Sequence, residues 1–316
     1  MKIHCFHAQP SPDLAEKLRV FERQFQYPLG EHQSFRVSHG EDYTRFYRAI
    51  GEATCFAAEH RGEVVGVLST AIRQLLFPQG NREEVVYVGD LKVVPSNVSG
   101  FALFQLMATT WEFHKRNQGM GFGVMMDGTK IEPDRYTGRL GLPKFVTLGK
   151  VMILRIPVHP STDADPEVQI ESCGEARQNL FQELSVRRFG TVGGDTELRS
   201  RFEPVALRLA HPAAYGLLED TLKAKQLNST DGTELLSSHV SKFAFSIPAA
   251  GARLIRTALS ITRDRGLPAL FTAVPTSDAD HLMQELQMKD ITLAPATIFG
   301  TGLDSGFLWN VNTSEI

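Results

Sequence analysis

The segment with the clearest chemical capability is residues 95–102, PSNVSGFA, which leads from the end of a strand-like run into a helix-like one. A helix start presents backbone N–H groups without partners and the positive end of the peptide dipoles, so it attracts phosphate. Gly100 lets the chain approach such a ligand with no Cβ in the way, and Ser99 adds a hydroxyl donor. Asn97, Val98, Phe101 and Ala102 complete the candidate binding segment. Just upstream lies a lone carboxylate, Asp90, after Gly89 in the preceding strand-like run.

Other suggestive spacings fail on their physics. Gly119-Met-Gly-Phe-Gly123 precedes its strand, whereas a dinucleotide fingerprint must follow one. Residues 123–130, GVMMDGTK, resemble a phosphate-binding loop but place Thr before Lys130 and have no good helix after it. GLDSG at 302–306 lacks the spacing of a nucleophile elbow. His4 and His7 would face opposite sides of an extended chain with no third ligand near, so no metal is expected. Cys55 sits in an apolar run and reads as a small core residue.

Composition narrows the partners. The 33 basic and 36 acidic residues give a formal net charge of -3, spread along the chain, so no basic field exists to hold nucleic acid. Three cysteines, Cys5, Cys55 and Cys173, are odd in number and far apart, which fits reduced thiols in a cytoplasmic protein. The N-terminus lacks a signal-peptide core and no run reaches the roughly 18 apolar residues of a membrane span, so a soluble protein is expected.

At 316 residues two domains are expected. Residues 156–166, IPVHPSTDADP, have three prolines and no apolar periodicity, which places a linker at 157–166 between domains 1–156 and 167–316. The spacing of Leu14, Leu18, Phe21 and Phe25 predicts a helix capped by Asp13. Residues 54–60, 64–77 and 84–94 read as a three-strand meander, followed by a helix at 101–116 and a buried strand at 122–126. That strand, helix, strand order is a right-handed crossover with the helix start at the strand's C-terminal end. A similar element order follows the linker, beginning with a helix at 174–189 and including a helix at 250–263. A loop at 190–195, GTVGGD, connects them and could act as a lid.

At residues 90–102, DLKVVPSNVSGFA, the first half resembles the GCN5-related N-acetyltransferase superfamily. Asp90, Leu91, Lys92 and Val93 fit that family's acidic-x-x-V strand, Pro95 follows, and Asn97-x-x-Gly100-x-Ala102 stands where Q/R-x-x-G-x-G/A is usual. The resemblance implies an α/β fold: two such domains in tandem, each a central mixed sheet flanked by helices, the second degenerate. It implies acetyl transfer from acetyl-CoA, or another acyl-CoA, to an amine of a small molecule or peptide. The cofactor would lie on Leu91, Val93, Val94 and the loop from Asn97 to Ala102, with the amides near Val93 and Val94 polarising the thioester carbonyl. Asp90 would be the general base and Tyr136 the general acid, although counting back from Gly141 puts Thr137 in the family's tyrosine register. Two other outcomes fit the same fold: a non-catalytic acyl-CoA or protein-binding module, and an aminoacyl- or thiol-conjugating enzyme.

Overall fold

Ser11 starts the first helix by accepting a hydrogen bond from the Leu14 amide, with Pro12 pre-set for the first turn. The cap is therefore Ser11, and Asp13, expected in that role, lies inside the first turn. The computed structural model describes residues 1–29, 33–115, 119–129, 132–172 and 179–316. Cys173, Lys130 and the start of the helix expected at 174–189 lie outside the described residues.

In chain order the first half runs β1 (Lys2–Phe6), α1 (Pro12–Glu22), β2 (Tyr27–Leu29), β3 (Gln33–Ser38), α2 (Arg45–Arg48), β4 (Glu52–His60), β5 (Glu63–Leu76) and β6 (Arg82–Val93). It continues through α3 (Ser99–His114), β7 (Gly121–Met126), α4 (Pro133–Tyr136) and β8 (Val146–Pro157). The second half begins β9 (Gln169–Ser172), α5 (Asn179–Leu184), β10 (Arg188–Thr191), α6 (Thr196–Arg199), β11 (Val205–Leu209), β12 (Ala214–Asp220) and β13 (Gln226–Ser229). It ends with β14 (Ser238–Phe245), α7 (Pro248–Asp264), β15 (Ala269–Pro275), α8 (Thr276–Leu286), β16 (Thr292–Thr301), β17 (Leu308–Asn310) and a single 3-10 turn, Thr313–Glu315.

Both halves contribute to one mixed sheet in the order β1-β4-β5-β6-β7-β16-β8-β15-β14-β12-β11-β9. The halves exchange strands: β16 of the second inserts between β7 and β8 of the first, antiparallel to both. Three further seams join them, β8 against β15, β10 against β5, and β13 against β3 in a small second sheet, β13-β3-β2. Helix α3 covers one part of the sheet by burying Ala102 and Leu106 against Phe56 and Leu68. Helix α7 covers another with Leu254, Ile255, Ala258 and Leu259 against Leu154, Val240 and Leu270. Each such aliphatic side chain contributes about 1.5–3 kcal/mol on full burial.

The end of the helix expected at 174–189 is instead strand: Phe189 pairs beside Trp309 in β17, and Gly190 and Thr191 pair with Leu76 and Leu75. The loop expected at 190–195 is correspondingly short. Its Val192 is buried, and the Asp195 amide donates to the Ala49 carbonyl. Gly194 is there for space, since a Cβ would meet the Ala49 oxygen at 2.9 Å.

A buried charge network ties the halves together. Arg199 makes a fork to Glu219 at 2.8 and 3.1 Å, reaches Glu315 at 3.3 Å, and donates to the Ala49 carbonyl at 2.9 Å. Glu315 also takes Arg73 of β5 at 2.8 Å. Burial would raise the Glu315 carboxyl, but Arg73 and Arg199 hold it below its usual value. Removing one partner strands the others as buried charge. Arg199→Met should therefore cost about 3–5 kcal/mol of stability, read by denaturant unfolding; a loss below about 1 kcal/mol would mean that the network is solvated.

Candidate active site

The site begins where two parallel strands part. β6 and β7 pair only at Val86 with Gly121 and Tyr87 with Phe122. Gly123 is still close, since a Cβ there would meet the Val88 oxygen at 2.5 Å. Beyond it β6 follows β5 while β7 follows β16, and a wedge opens between them. The strand edges lining that wedge carry backbone groups that an extended ligand could pair with.

At the wedge β6 also breaks its register with β5. Val67 faces Lys92 and Ser69 faces Gly89, so a bulge falls at Asp90 and Leu91, with Asp90 at φ +54°. A non-glycine residue held in this region is a conformational cost tolerated where geometry matters. The bulge turns the Asp90 carboxylate into a mostly apolar cavity of about 350 Å³. Its walls come from both halves: Val88, Leu91, Met107, Val124 and Tyr136 on one side, and Lys225, Leu227, His239 and Phe271 on the other. A second chamber of about 60 Å³ shares Leu68, Val88, Met107 and Phe145 with it.

Asp90 is engaged on both oxygens, accepting from the Tyr43 hydroxyl and pairing with the Lys92 ammonium. Burial would raise its carboxyl, but Lys92 and His39, with hydrogen bonds from Lys92 and Tyr43, bring it below its usual value. It is therefore ionised at neutral pH and weakly basic. Lys92 is itself buried, over the rings of Tyr27 at 5.3 Å and Phe25 at 5.8 Å.

The expected cofactor segment runs on from the C-terminal end of β6, past the wedge, and of its residues Leu91 alone lines the cavity. α3 starts after Val98 with no side-chain cap, so its first amides are open to a ligand. Asn97 and Gly100 are exposed, and nothing lies within 4 Å of where a Gly100 Cβ would be. Ser99 is differently placed, since its hydroxyl donates to the Ser96 carbonyl at 2.7 Å. Phe101 is exposed, while Ala102 is buried in the sheet packing. Leu91 lines the cavity; Val93 pairs with Gly66, and the Val94 amide donates to the Val65 carbonyl at 2.9 Å. That amide is thus already spent, and the bulge at Asp90 and Leu91 is the place where the ladder leaves backbone groups over.

Tyr136, at the end of α4, lines the cavity with its phenol pushed up to about 12, by burial first and then by Asp134. Thr137 has its hydroxyl committed, donating to the Pro133 carbonyl at 2.6 Å and accepting from the Phe145 amide at 3.0 Å. The phenol one residue earlier faces the cavity, as do those of Tyr27, Tyr47 and Tyr87.

Four cavity or near-cavity side chains carry no sequence motif: Glu22, His39, Lys225 and His239. Lys225 donates to the Ile316 carbonyl and lies 4.5 Å over the Phe46 ring. Burial brings its ammonium down to about 7, against the pull of Asp90 and with repulsion from Lys92 and Arg199. His239, stacked on Phe271, is held neutral by burial, Lys225 and Arg199. Pairing of β13 with β3 brings Lys225 and His39 to the cavity, and His239 arrives on β14.

No protein-family model and no curated protein matches the sequence. Solved structures match it. A Saccharomyces cerevisiae N-myristoyltransferase with bound myristoyl-CoA and inhibitors aligns with TM-score 0.63 at 8% identity, covering 99% of this chain and 84% of its own. A second structure of that enzyme with myristoyl-CoA gives 0.61 and 8%, covering 99% and 87%. A GCN5-related N-acetyltransferase from Anabaena variabilis gives 0.51 and 13%, covering 95% and 72%. This chain has the GCN5-related N-acetyltransferase fold. The alignment along nearly the whole chain fits an acetyltransferase-type fold in tandem, as the repeated element order implied. Among the described residues no helix is long and apolar enough to cross a membrane.

The Asp90–Lys92 pair gives a direct test of the electrostatics. Asp90, with a depressed folded value, contributes stability above its unfolded value and loses it as pH falls through the folded one. Lys92→Met strands the carboxylate, so its folded value should rise above the unfolded one and the sign should reverse. The variant should lose about 3–5 kcal/mol at neutral pH and recover part of it as Asp90 protonates in mild acid. Unfolding curves at neutral and acid pH check this; a loss independent of pH would show that Asp90 is not the group left unpaired.

Proposed function

We propose that this protein is an acyl-CoA-dependent N-acyltransferase that moves an acyl group to an amine of a small molecule or peptide by direct attack. The observation that carries this reading is the wedge between β6 and β7, with an uncapped helix start past the end of β6 and an ionised carboxylate inside. The α3 amides and Gly100 suit the phosphates of coenzyme A, the bare strand edges suit its amide-bearing arm, and the thioester would lie at the bulge. Neighbours of the same fold that hold myristoyl-CoA favour the same donor class.

Acetyl-CoA, the donor implied by the sequence, would leave most of the cavity empty. About 350 Å³ of apolar space, with a further chamber behind Met107 and Phe145, favours a longer chain. Asp90, expected as the base, is held by Lys92 and Tyr43. We assign it as the fixed negative charge that draws in an ammonium, with Tyr136 as the phenol that can protonate the departing thiolate. The second half walls the acceptor side through Lys225, Leu227, His239 and Phe271. Its own helix start offers fewer amides: Pro248 has none to give, and the Ala250 amide donates to the Ile247 carbonyl at 3.1 Å. A reducing, cytoplasmic setting suits the free thiols of Cys5 and Cys55.

Thermal shift tests the donor. Each added methylene contributes about 0.8 kcal/mol on burial, so affinity should rise about tenfold per two carbons from acetyl-CoA through butyryl-CoA to octanoyl-CoA. Ligand at 100 times its dissociation constant should stabilise by about 2.7 kcal/mol. No shift with any of the three at millimolar concentration would sink the assignment. A shift confined to acetyl-CoA would restore the short-chain reading.

Two variants test the site. Gly100→Val, with open space around it, should leave the unliganded melting temperature within a few degrees and remove the shift. Asp90→Asn should lower kcat for amine acylation about 10²-fold while leaving octanoyl-CoA affinity within about threefold. Unchanged turnover would exclude a role for this charge in the chemistry.

A further inference from the structure

Glu22 and His39 form a buried pair, with His39 on the cavity wall, that the preceding roles leave unused. Glu22 ends α1, and His39 follows β3 directly. One Glu22 oxygen lies 2.5 Å from Nδ1 of His39, and the other accepts from the His39 backbone amide at 3.3 Å. Both side chains are nearly inaccessible to solvent, at 3% and 2%. The ring is clamped by Tyr43, Phe46 and Tyr47, with centroids 4.7, 5.5 and 5.7 Å away. A ring hydrogen-bonded to a carboxylate at Nδ1 and held among three aromatic neighbours has one orientation, with Nε2 on the edge away from Glu22.

His39 also faces the reacting region. It lines the same cavity as Asp90 and Leu91, and one ring nitrogen of His39 and one carboxylate oxygen each of Glu22 and Asp90 lie within 4.8 Å of one another. Three such groups could converge on a cation, but the Lys92 ammonium already pairs with Asp90. The arrangement is a histidine fixed by one carboxylate and flanked by a second, which is how a protein prepares an imidazole to accept a proton and hold the resulting charge.

We propose that His39, oriented by Glu22, is the general base that deprotonates the acceptor ammonium. The inference rests on the acyl-transfer reading above. The first proton passes from the ammonium to Nε2 of His39, and Glu22 and Asp90 stabilise the imidazolium. The freed nitrogen lone pair forms the C–N bond as the C–S bond breaks, and its electron pair leaves on sulfur. Tyr136 protonates that sulfur and regains its proton, through water, from the second one lost by the nitrogen, and His39 returns the first proton to solvent. Glu22 is a positioning residue, since it acts through the ring.

The test uses the full chain with octanoyl-CoA and two acceptor probes, with coenzyme A release measured across pH. Glycinamide is largely an ammonium at moderately acid and neutral pH and needs a base; hydroxylamine is largely neutral at neutral pH and needs one far less. His39→Gln should lower kcat/KM for glycinamide about 10²-fold at neutral pH and for hydroxylamine less than about threefold. It should also remove an acid limb of the wild-type glycinamide profile. Glu22→Gln should lower glycinamide turnover about tenfold with little change in the octanoyl-CoA melting shift, which serves as the check that each variant is folded.

The charged and titratable groups facing His39 are Glu22 from α1, Tyr43 and Tyr47 around α2, Asp90 and Lys92 from β6, and Lys225 from the second half. Lys225 is the competing base. Equal losses for both probes in His39→Gln, or an acid limb that survives there and vanishes only in Lys225→Met, would overturn the proposal. A chain that shows no melting shift with acyl-CoA fails at the donor reading, which is a different result from a bound donor with unaltered pH dependence.

Discussion

Two parallel strands that cannot stay paired set the conditions for everything else at the site. β6 and β7 share two residue pairs and then follow different neighbours, β5 on one side and β16 on the other. Because each strand goes on pairing along its outer edge, β6 resuming with β5 after the bulge, the inner edges are held apart without unravelling. The backbone groups left there must find a partner or water, and a cavity follows from that constraint. The bulge at Asp90 places charge at its head, and α3 starts past the C-terminal end of β6.

Keeping the wedge open demands rigid surroundings, and the second half supplies them by strand exchange. β16 enters the first half's sheet between β7 and β8, β10 extends β5, and β13 joins β3 over the cavity. The Arg73, Arg199, Glu219 and Glu315 network lies behind this junction, buried and mutually paired. Such a network contributes little net stability compared with an apolar core of the same shape, but it penalises any other relative placement of the halves. The cavity walls from Lys225 to Phe271 depend on that placement.

The polar groups in the cavity also depend on one another. Lys92 keeps Asp90 ionised; Asp90 in turn offsets the burial of Lys92 and pulls upward on Lys225. Lys225 and Arg199 keep His239 neutral. Low polarity makes each coupling stronger than it would be in water, so the cluster behaves as one unit and not as separate acids and bases.

By itself the sequence determined the local elements and the loop that opens the crossover helix. The meander, the crossover helix and the strand after it were readable because apolar periodicity and the breaks at Pro95 and Gly119 are local signals. The motif around residues 90–102 located both the carboxylate and the open helix start, since their spacing along one strand and one loop fixes their distance. Where β16 inserts, and that residues 188–191 form a strand and not a helix end, is decided by pairing partners more than 100 residues away, to which local periodicity is blind. Glu22 and His39 lie 17 residues apart on a helix and after an edge strand, and Lys225 is in the other half. Nothing in their spacing announces a site, because burial against Asp90 is what gives these ordinary residues their chemistry.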